Sequence, residues 1–113
     1  MIEVTVKQYL DEELTVPVYM EEPKNKPAEY VVLQVIDDGR INHIDAVTFN
    51  IISYATSLYN AAELNKAVKD AMYDIIRLDN ISSSKCGGGG QAINTVTKQY
   101  AYECVFNLYY MEE

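Results

Sequence analysis

The sequence predicts one α+β domain over residues 1–113, in which a mostly antiparallel or mixed β-sheet carries two helices on one of its faces. Three observations predict this class. A chain of 113 residues has the commonest length of a single domain. Its apolar residues recur at helical spacing in two segments and alternate or run together in four others. Two of those four segments are joined by a turn too short for a parallel crossover, so their strands must pair antiparallel.

The first segment, residues 2–14, is predicted to be an amphipathic helix. Its apolar residues at helical spacing are Ile2, Val6, Tyr9, Leu10 and Leu14. The alternation of Ile2, Val4 and Val6 with polar residues is also typical of a strand, and β-branched residues lower helix propensity. The length of the helical pattern favours the helix over the strand.

Three strands are predicted to follow the helix. Residues 17–20 are expected to form a short edge strand, because proline cannot donate to a sheet ladder. The continuous apolar run over residues 30–36 is typical of a central, well-covered strand. Asp37-Asp38-Gly39-Arg40 is predicted to be a tight turn, because Asp-Gly tolerates the positive φ that a hairpin needs. Residues 43–55 then form a long strand.

Residues 57–78 are predicted to form the second helix. Ser57 precedes its first turn and has a hydroxyl that can accept a hydrogen bond from a free backbone amide. The apolar stripe consists of Ala61, Leu64, Val68, Ala71, Ile75 and Leu78, widened by Leu58, Met72 and Ile76. The stripe spans only three heptads and is rich in alanine, which favours packing on a sheet over a coiled-coil seam.

Four consecutive glycines, Gly87 to Gly90, lie between a short predicted strand over residues 81–86 and a long one over residues 98–111. A phosphate-binding loop needs a helix after it and usually a Lys followed by Ser or Thr, and neither feature follows this run. The run is therefore predicted to be a flexible loop. Because four glycines have no side chains to pack and lose much backbone entropy on folding, residues 85–95 are expected to be mobile in the isolated subunit and to become ordered on assembly.

The net charge of −8 excludes several classes of function. Proteins that grip duplex DNA or anionic membranes need a surplus of basic residues, which this chain lacks. We therefore expect neither sequence-specific nucleic acid nor a membrane as a partner. The sequence has no run of 18 apolar residues that would span a bilayer, and its acidic beginning is not expected to be a signal peptide.

Neither a catalytic site nor a metal site is predicted. His43 is the only histidine, and Cys86 and Cys104 are the only cysteines. A nucleophilic triad or a zinc site would need these residues to converge, and the chain has no pair at ligand spacing. Two cysteines do not make a disulfide framework in a chain of this length, so we interpret them as reduced thiols. The protein is predicted not to be an enzyme and to use no cofactor.

Several phrases of the sequence, taken in order, are similar to those of a known family. They are MIEVTVKQYLDEEL at the start, VPVYMEEP, PAEYVVLQV, HIDAVTFNIISYATSLYNAAELNKAVKDAM and the closing TKQYAYECVFNLYY. On these phrases the chain resembles the tail-terminator proteins, also called tail-completion or minor tail proteins, of long-tailed phages and prophages. The resemblance covers nearly the whole chain and includes no catalytic signature.

The resemblance implies that the protein has a structural role in the virion. Proteins of this family form a ring, typically of six subunits, on the head-proximal end of the finished tail tube. The ring stops further polymerisation of the tube and presents a surface for joining the head. The implied partners are other copies of the chain, the tail-tube protein and the head–tail connector proteins. The implied location is the virion tail and, during assembly, the cytoplasm of the bacterial host.

Two sets of residues are candidates for functional positions in such a ring, one facing the lumen and one contacting neighbouring subunits. Asp37 and Asp38, partly offset by Arg40, are predicted to form a negative collar near the lumen, which would discourage DNA from adhering. The chain has ten tyrosines, and this side chain suits subunit interfaces because it joins an apolar ring to a polar tip. The tyrosines predicted to contact neighbouring subunits are Tyr100, Tyr102, Tyr109 and Tyr110.

A second hypothesis belongs to a different class of function. The same fold class would suit a small cytoplasmic ligand-binding or regulatory domain without catalysis, since fold does not decide function. The size of the protein in solution separates the two hypotheses.

Overall fold

The computed structural model describes residues 1–41, 43–94 and 99–111. Its elements are α1 (Ile2–Glu13), β1 (Val18–Tyr19), β2 (Tyr30–Ile41), β3 (Ile44–Ala55), α2 (Leu58–Tyr73), a 3₁₀ helix (Asp74–Arg77), β4 (Ile81–Asn94) and β5 (Gln99–Tyr110). This order of helices and strands confirms the predicted α+β class. Thr95 and Lys98, which the predictions for the glycine segment and the last strand include, lie outside the described residues.

The strands form one mixed sheet in the order β1-β2-β3-β5-β4. Only β1 runs parallel to its neighbour, β2, and the other pairs are antiparallel, as the short connection between β2 and β3 requires. Asp45 pairs with Tyr110, and Ala55 pairs with Tyr100. The β2–β3 and β4–β5 hairpins therefore point to opposite ends of the sheet, which gives the molecule a long axis of 43 Å.

Both helices pack on the same face of the sheet and close the main core over it. Every residue of the predicted apolar face of α1 is buried, from Ile2 to Leu14. The buried Tyr9 hydroxyl donates a hydrogen bond of 2.6 Å to the backbone oxygen of Ala71, which ties α1 to α2. The helical interpretation of this segment is confirmed, because burial of one apolar stripe outweighs the modest helix propensity of its β-branched residues.

The second helix begins where the sequence predicts and ends earlier. Ser57 Oγ accepts a hydrogen bond of 3.1 Å from the backbone amide of Asn60 and caps α2. The α-helix stops at Tyr73, and a tighter 3₁₀ helix continues to Arg77, a common way for a helix to end. None of the helices in the described part of the chain is both long enough and apolar enough to cross a membrane.

The predicted turn at residues 37–40 is wrong. These residues belong to β2, which continues to Ile41 and pairs with β3 as far as Ile44. A β-bulge between Val35 and Asp37 absorbs one extra residue, so pairing resumes beyond it. His43, with a φ of 69°, lies in the turn instead. The strand is also less covered than predicted, since the Val35 and Ile36 side chains are 42% and 56% exposed.

The glycine run does not form the predicted loop. Gly87 to Gly90 lie in β4, which pairs with β5 along nearly its whole length. Backbone pairing needs no side chain, so a run of glycines can complete a ladder when a long partner strand is already in place. The expected mobility of residues 85–95 came from the loop interpretation, and the structure contradicts that interpretation for residues 85–94.

Candidate assembly surface

The residues considered for catalysis and metal binding do not converge. His43 is exposed in the β2–β3 turn, whereas Cys86 lies level with Phe49, about 17 Å away along β3 at the usual rise of a strand. Both cysteines are free thiols. Among residues 1–41, 43–94 and 99–111, no group of three or more His, Cys, Asp or Glu side chains is placed to hold a metal ion.

Cys104 is buried in the main core, on the same sheet face as Cys86 of the neighbouring strand. Burial, followed by the nearby Cys86 thiol, raises the pKa of Cys104 to about 12. The thiolate is the nucleophilic form of cysteine, so Cys104 is held in its unreactive form near neutral pH. We interpret Cys104 as part of the core packing between β5 and the helices.

The three residues of the predicted collar do not act as one group. Asp37 pairs with Thr48 and Asp38 with Val47, and neighbouring strand residues point to opposite faces of a sheet. Asp38 therefore lies on the face that carries the helices, and Asp37 on the opposite face. Arg40 Nε donates a hydrogen bond of 3.1 Å to Asp45 Oδ1. A collar built from both acids at a hairpin tip is incompatible with this arrangement.

The four candidate contact tyrosines are also divided. Tyr109 is 41% exposed on the face without helices, and Tyr100 is 50% exposed at the other end of β5, about 30 Å away. Tyr102 is half-buried, and Tyr110 is buried in the main core. Tyr110 therefore packs inside its own subunit, and the other three tyrosines do not form one contact patch.

The sheet face without helices is formed by alternate residues of β2, β3, β5 and β4, and it carries polar side chains near the middle of β3 and β5. Thr48 Oγ1 donates a hydrogen bond of 2.7 Å to Asn107 Oδ1, and Asn50 Nδ2 donates one of 3.3 Å to Glu103 Oε2. These bonds link β3 to β5 across the face and hold the four side chains in fixed positions. This part of the face is therefore suited to contact with water or with a polar partner.

A small second core occupies one end of this helix-free face. The rings of Tyr30 and Tyr54 stack with centroids 4.7 Å apart, and Val32 and Ala101 are buried beside them. The Tyr30 hydroxyl donates to Glu22 Oε2 at 3.2 Å, so the loop after β1 is tied down over the sheet. Burial and the Glu22 carboxylate raise the pKa of Tyr54 well above its usual value.

We predict that the protein loses stability in alkali because of its buried tyrosines. Burial raises the pKa of Tyr9, Tyr30 and Tyr54, so the folded protein resists a deprotonation that the unfolded chain undergoes near pH 10. The contribution of these three tyrosines to the free energy of unfolding is complete below pH 10 and declines as the pH rises above it. Urea unfolding between pH 7 and 11 should show this decline, and Tyr54→Phe should make it shallower. The exposed Tyr59→Phe is the control, and equal slopes for Tyr54→Phe and the wild type would contradict the prediction.

Both edges of the sheet offer backbone for pairing. β1 pairs only with Val31 and Val32, and within the described residues no strand lies along the outer side of β2 from Leu33 to Ile41. The outer side of β4 is likewise without a described strand. Met20, Val35 and Ile36 line a groove of about 450 Å³ beside the open part of β2. Exposed strand edges with apolar side chains are sites where another chain can add a strand.

Sequence patterns predicted strands at residues 17–20 and 81–86, but not the extension of β4 beyond Cys86 or of β2 beyond Ile36. The length of β5 indicates a long neighbour, since a central strand of 12 residues leaves backbone groups unpaired wherever its partners are shorter. The signal for the projecting part of β2 was the absence of proline between Tyr30 and Ile44, so the apolar run could continue as a strand.

Neither the comparison with protein-family models nor the comparison with curated proteins found a match for this chain.

Proposed function

We propose that this chain is a structural protein of a phage or prophage tail, a terminator that caps the tail tube as a ring and provides the surface for joining the head. The observation that carries the proposal is that, among the described residues, no strand lies along the outer side of β4 or along that of β2 from Leu33 to Ile41. Two unlike edges on opposite sides of a subunit form a head-to-tail contact, and repetition of such a contact closes into a ring when its rotation divides the circle. The number six comes from the family resemblance.

The two faces of the sheet suggest how the subunit is oriented in the ring. Among the described strand residues, the helix-free face carries two acids, Asp37 and Glu103, and one base, Lys85, and the net charge of the chain is −8. If this face lines the channel, DNA phosphates meet a surface on which acids outnumber bases and which repels them weakly. Asp38 and Arg40 then lie on the opposite face and have no part in the lumen. The helical face is left for the tail-tube protein or the head–tail connector proteins.

The proposal predicts the outcome of a gene deletion. Removing the gene from an inducible prophage should give overlong tails that fail to join heads, because tube growth is no longer stopped. Supplying the wild-type protein should restore tails of normal length, measured on electron micrographs of the induced particles. Deletion particles with tails of normal length, joined to filled heads, would reject the terminator function.

A second candidate function is supported by a different feature. A groove of about 660 Å³ lies between α1 and the segment that follows it, lined by Lys7, Asp11, Tyr19, Met20 and Lys24 among others. This volume is typical of small-molecule sites. A small ligand-binding domain would use this groove and would remain a monomer or dimer. A stable monomer that binds small molecules and is absent from purified tails would favour this candidate over the ring.

A further inference from the structure

Asp37 and Lys85 stand at the two ends of one transverse row across the sheet. Asp37 pairs with Thr48, Thr48 with Asn107, and Asn107 with Lys85. The hydrogen bond of 2.7 Å between the Thr48 and Asn107 side chains shows that the middle of this row lies on the helix-free face. The row therefore runs from an acid on the open edge of β2 to a base on the open edge of β4.

The same registers set the height of every other residue on the two edges. Leu33 lies level with Gly89, Val35 with Cys86, and Asp38 with Ser84. β4 and β2 run in opposite directions, because three successive antiparallel pairings separate them. If the sheet of one copy continues into the sheet of the next, the β4 edge meets the β2 edge antiparallel, with these levels aligned.

We propose that neighbouring copies of this chain join by antiparallel pairing between the β2 edge, Leu33–Arg40, of one copy and the β4 edge, Ile81–Gly89, of the next, with Asp37 beside Lys85. This contact rests on the ring proposed above and specifies its interface. It turns separate five-stranded sheets into one continuous sheet and uses backbone groups on both open edges. Opposite charges at one level disfavour a slipped register, because a shift along the strands separates them.

The side chains at the two edges agree with this contact. Charges can protect an edge strand from pairing, but Asp37 on one edge and Lys85 on the other are opposite in sign and become complementary when the two edges meet. The β4 edge carries glycines from Gly87 onward, which leave its backbone open to close approach. Val35 and Ile36, which are exposed in the single subunit, would lie against the added strand. The same contact would thus cover both the exposed apolar side chains and the exposed backbone of the two edges.

A pair of introduced cysteines tests the register. Asp37→Cys combined with Lys85→Cys places two thiols about 14 Å apart within one subunit, three strand spacings, which is too far for a disulfide. In the proposed contact the same thiols are neighbours on different copies. Oxidised glutathione should link them by thiol–disulfide exchange, with reduced glutathione leaving, into a ladder of covalent oligomers on a non-reducing gel. The control combines Asp37→Cys with Gln91→Cys, which lies about 17 Å further along the sheet because a bulge in β4 takes up one residue.

The variants are produced from the induced prophage, and both purified tails and free protein are oxidised. A ladder from Asp37→Cys/Lys85→Cys and none from the control supports the contact. No ladder from protein that is present in the tails overturns the contact and leaves the tail function in place. A ladder from free protein that is absent from tails retains the contact and overturns the tail function. If the protein is absent from the tails and forms no ladder, both the proposed contact and the proposed tail function are overturned.

Discussion

Val68→Asp should remove a large share of the protein's free energy of unfolding. Val68 is fully buried on α2, in the main core between the helix and strands β3 and β5. A carboxylate at this position would lose its water shell without gaining a partner, at a cost of about 4 kcal/mol or more. A domain of this size is stable by about 5–15 kcal/mol in total, so the change removes a large share of the free energy of unfolding. Urea denaturation followed by circular dichroism measures the loss.

Tyr59→Asp is the matched control for this substitution. Tyr59 is 73% exposed in the first turn of the same helix, where a negative charge interacts favourably with the helix dipole. The control variant should unfold within about 0.5 kcal/mol of the wild type. Equal unfolding curves for Val68→Asp and Tyr59→Asp would mean that the stripe of α2 does not face the core.

The helices and the central strands could be predicted from the sequence because each has a periodic pattern that burial preserves. The stripe through Ala61, Leu64 and Val68 is buried as predicted, and Ser57 caps the helix. In the strand predicted over residues 43–55, Val47, Phe49 and Ile51 occupy alternate positions and therefore share one face, and all three are buried in the main core. Periodicity is informative wherever one face of an element is apolar and the other is polar.

The edge strand at residues 17–20 was predicted, but the full length of β4 and β2 could not be, because edge strands bury little and need no pattern. In β4 the residues from Ser82 to Gly90 include no strongly apolar side chain except Cys86, so periodicity gave no strand signal. In β2 the acidic pair Asp37 and Asp38 followed by glycine is typical of a turn, yet backbone pairing with β3 continues through it. A turn motif gives only a local preference, and a long antiparallel partner can override it.

The candidate site was predicted less well than the fold, for a related reason. The grouping of Asp37 with Asp38 assumed a turn, in which neighbouring side chains can point the same way. In a strand, neighbouring side chains point to opposite faces, so this one difference in local structure separated the two acids. Tyr110 was grouped with exposed tyrosines of the same strand although its position places it in the main core.

Gly89→Ala should destabilise the protein by about 3 kcal/mol and loosen β4 from β5. An added Cβ would lie 2.3 Å from the backbone oxygen of Glu103 and 2.8 Å from Cys104 Cα, and neither backbone atom can rotate away. The φ of +144° at Gly89 adds strain for any residue with a side chain. Urea denaturation measures the loss, and hydrogen exchange should become faster at residues 86–92 than in the wild type.

Two further glycine substitutions separate the causes of this effect. Gly88→Ala has a φ of +127° and no atom within 4 Å of the new Cβ, so it isolates the backbone strain and should cost about 1–2 kcal/mol. Gly39→Ala has open space and no positive φ, so it should change stability by less than about 1 kcal/mol and can stabilise the fold by restricting the unfolded chain. A Gly89→Ala protein no less stable than Gly88→Ala would show that the strands do not approach as closely as described. The expected ranking, Gly39→Ala above Gly88→Ala above Gly89→Ala, would instead establish that the glycine run is needed for the fit of an edge strand against β5.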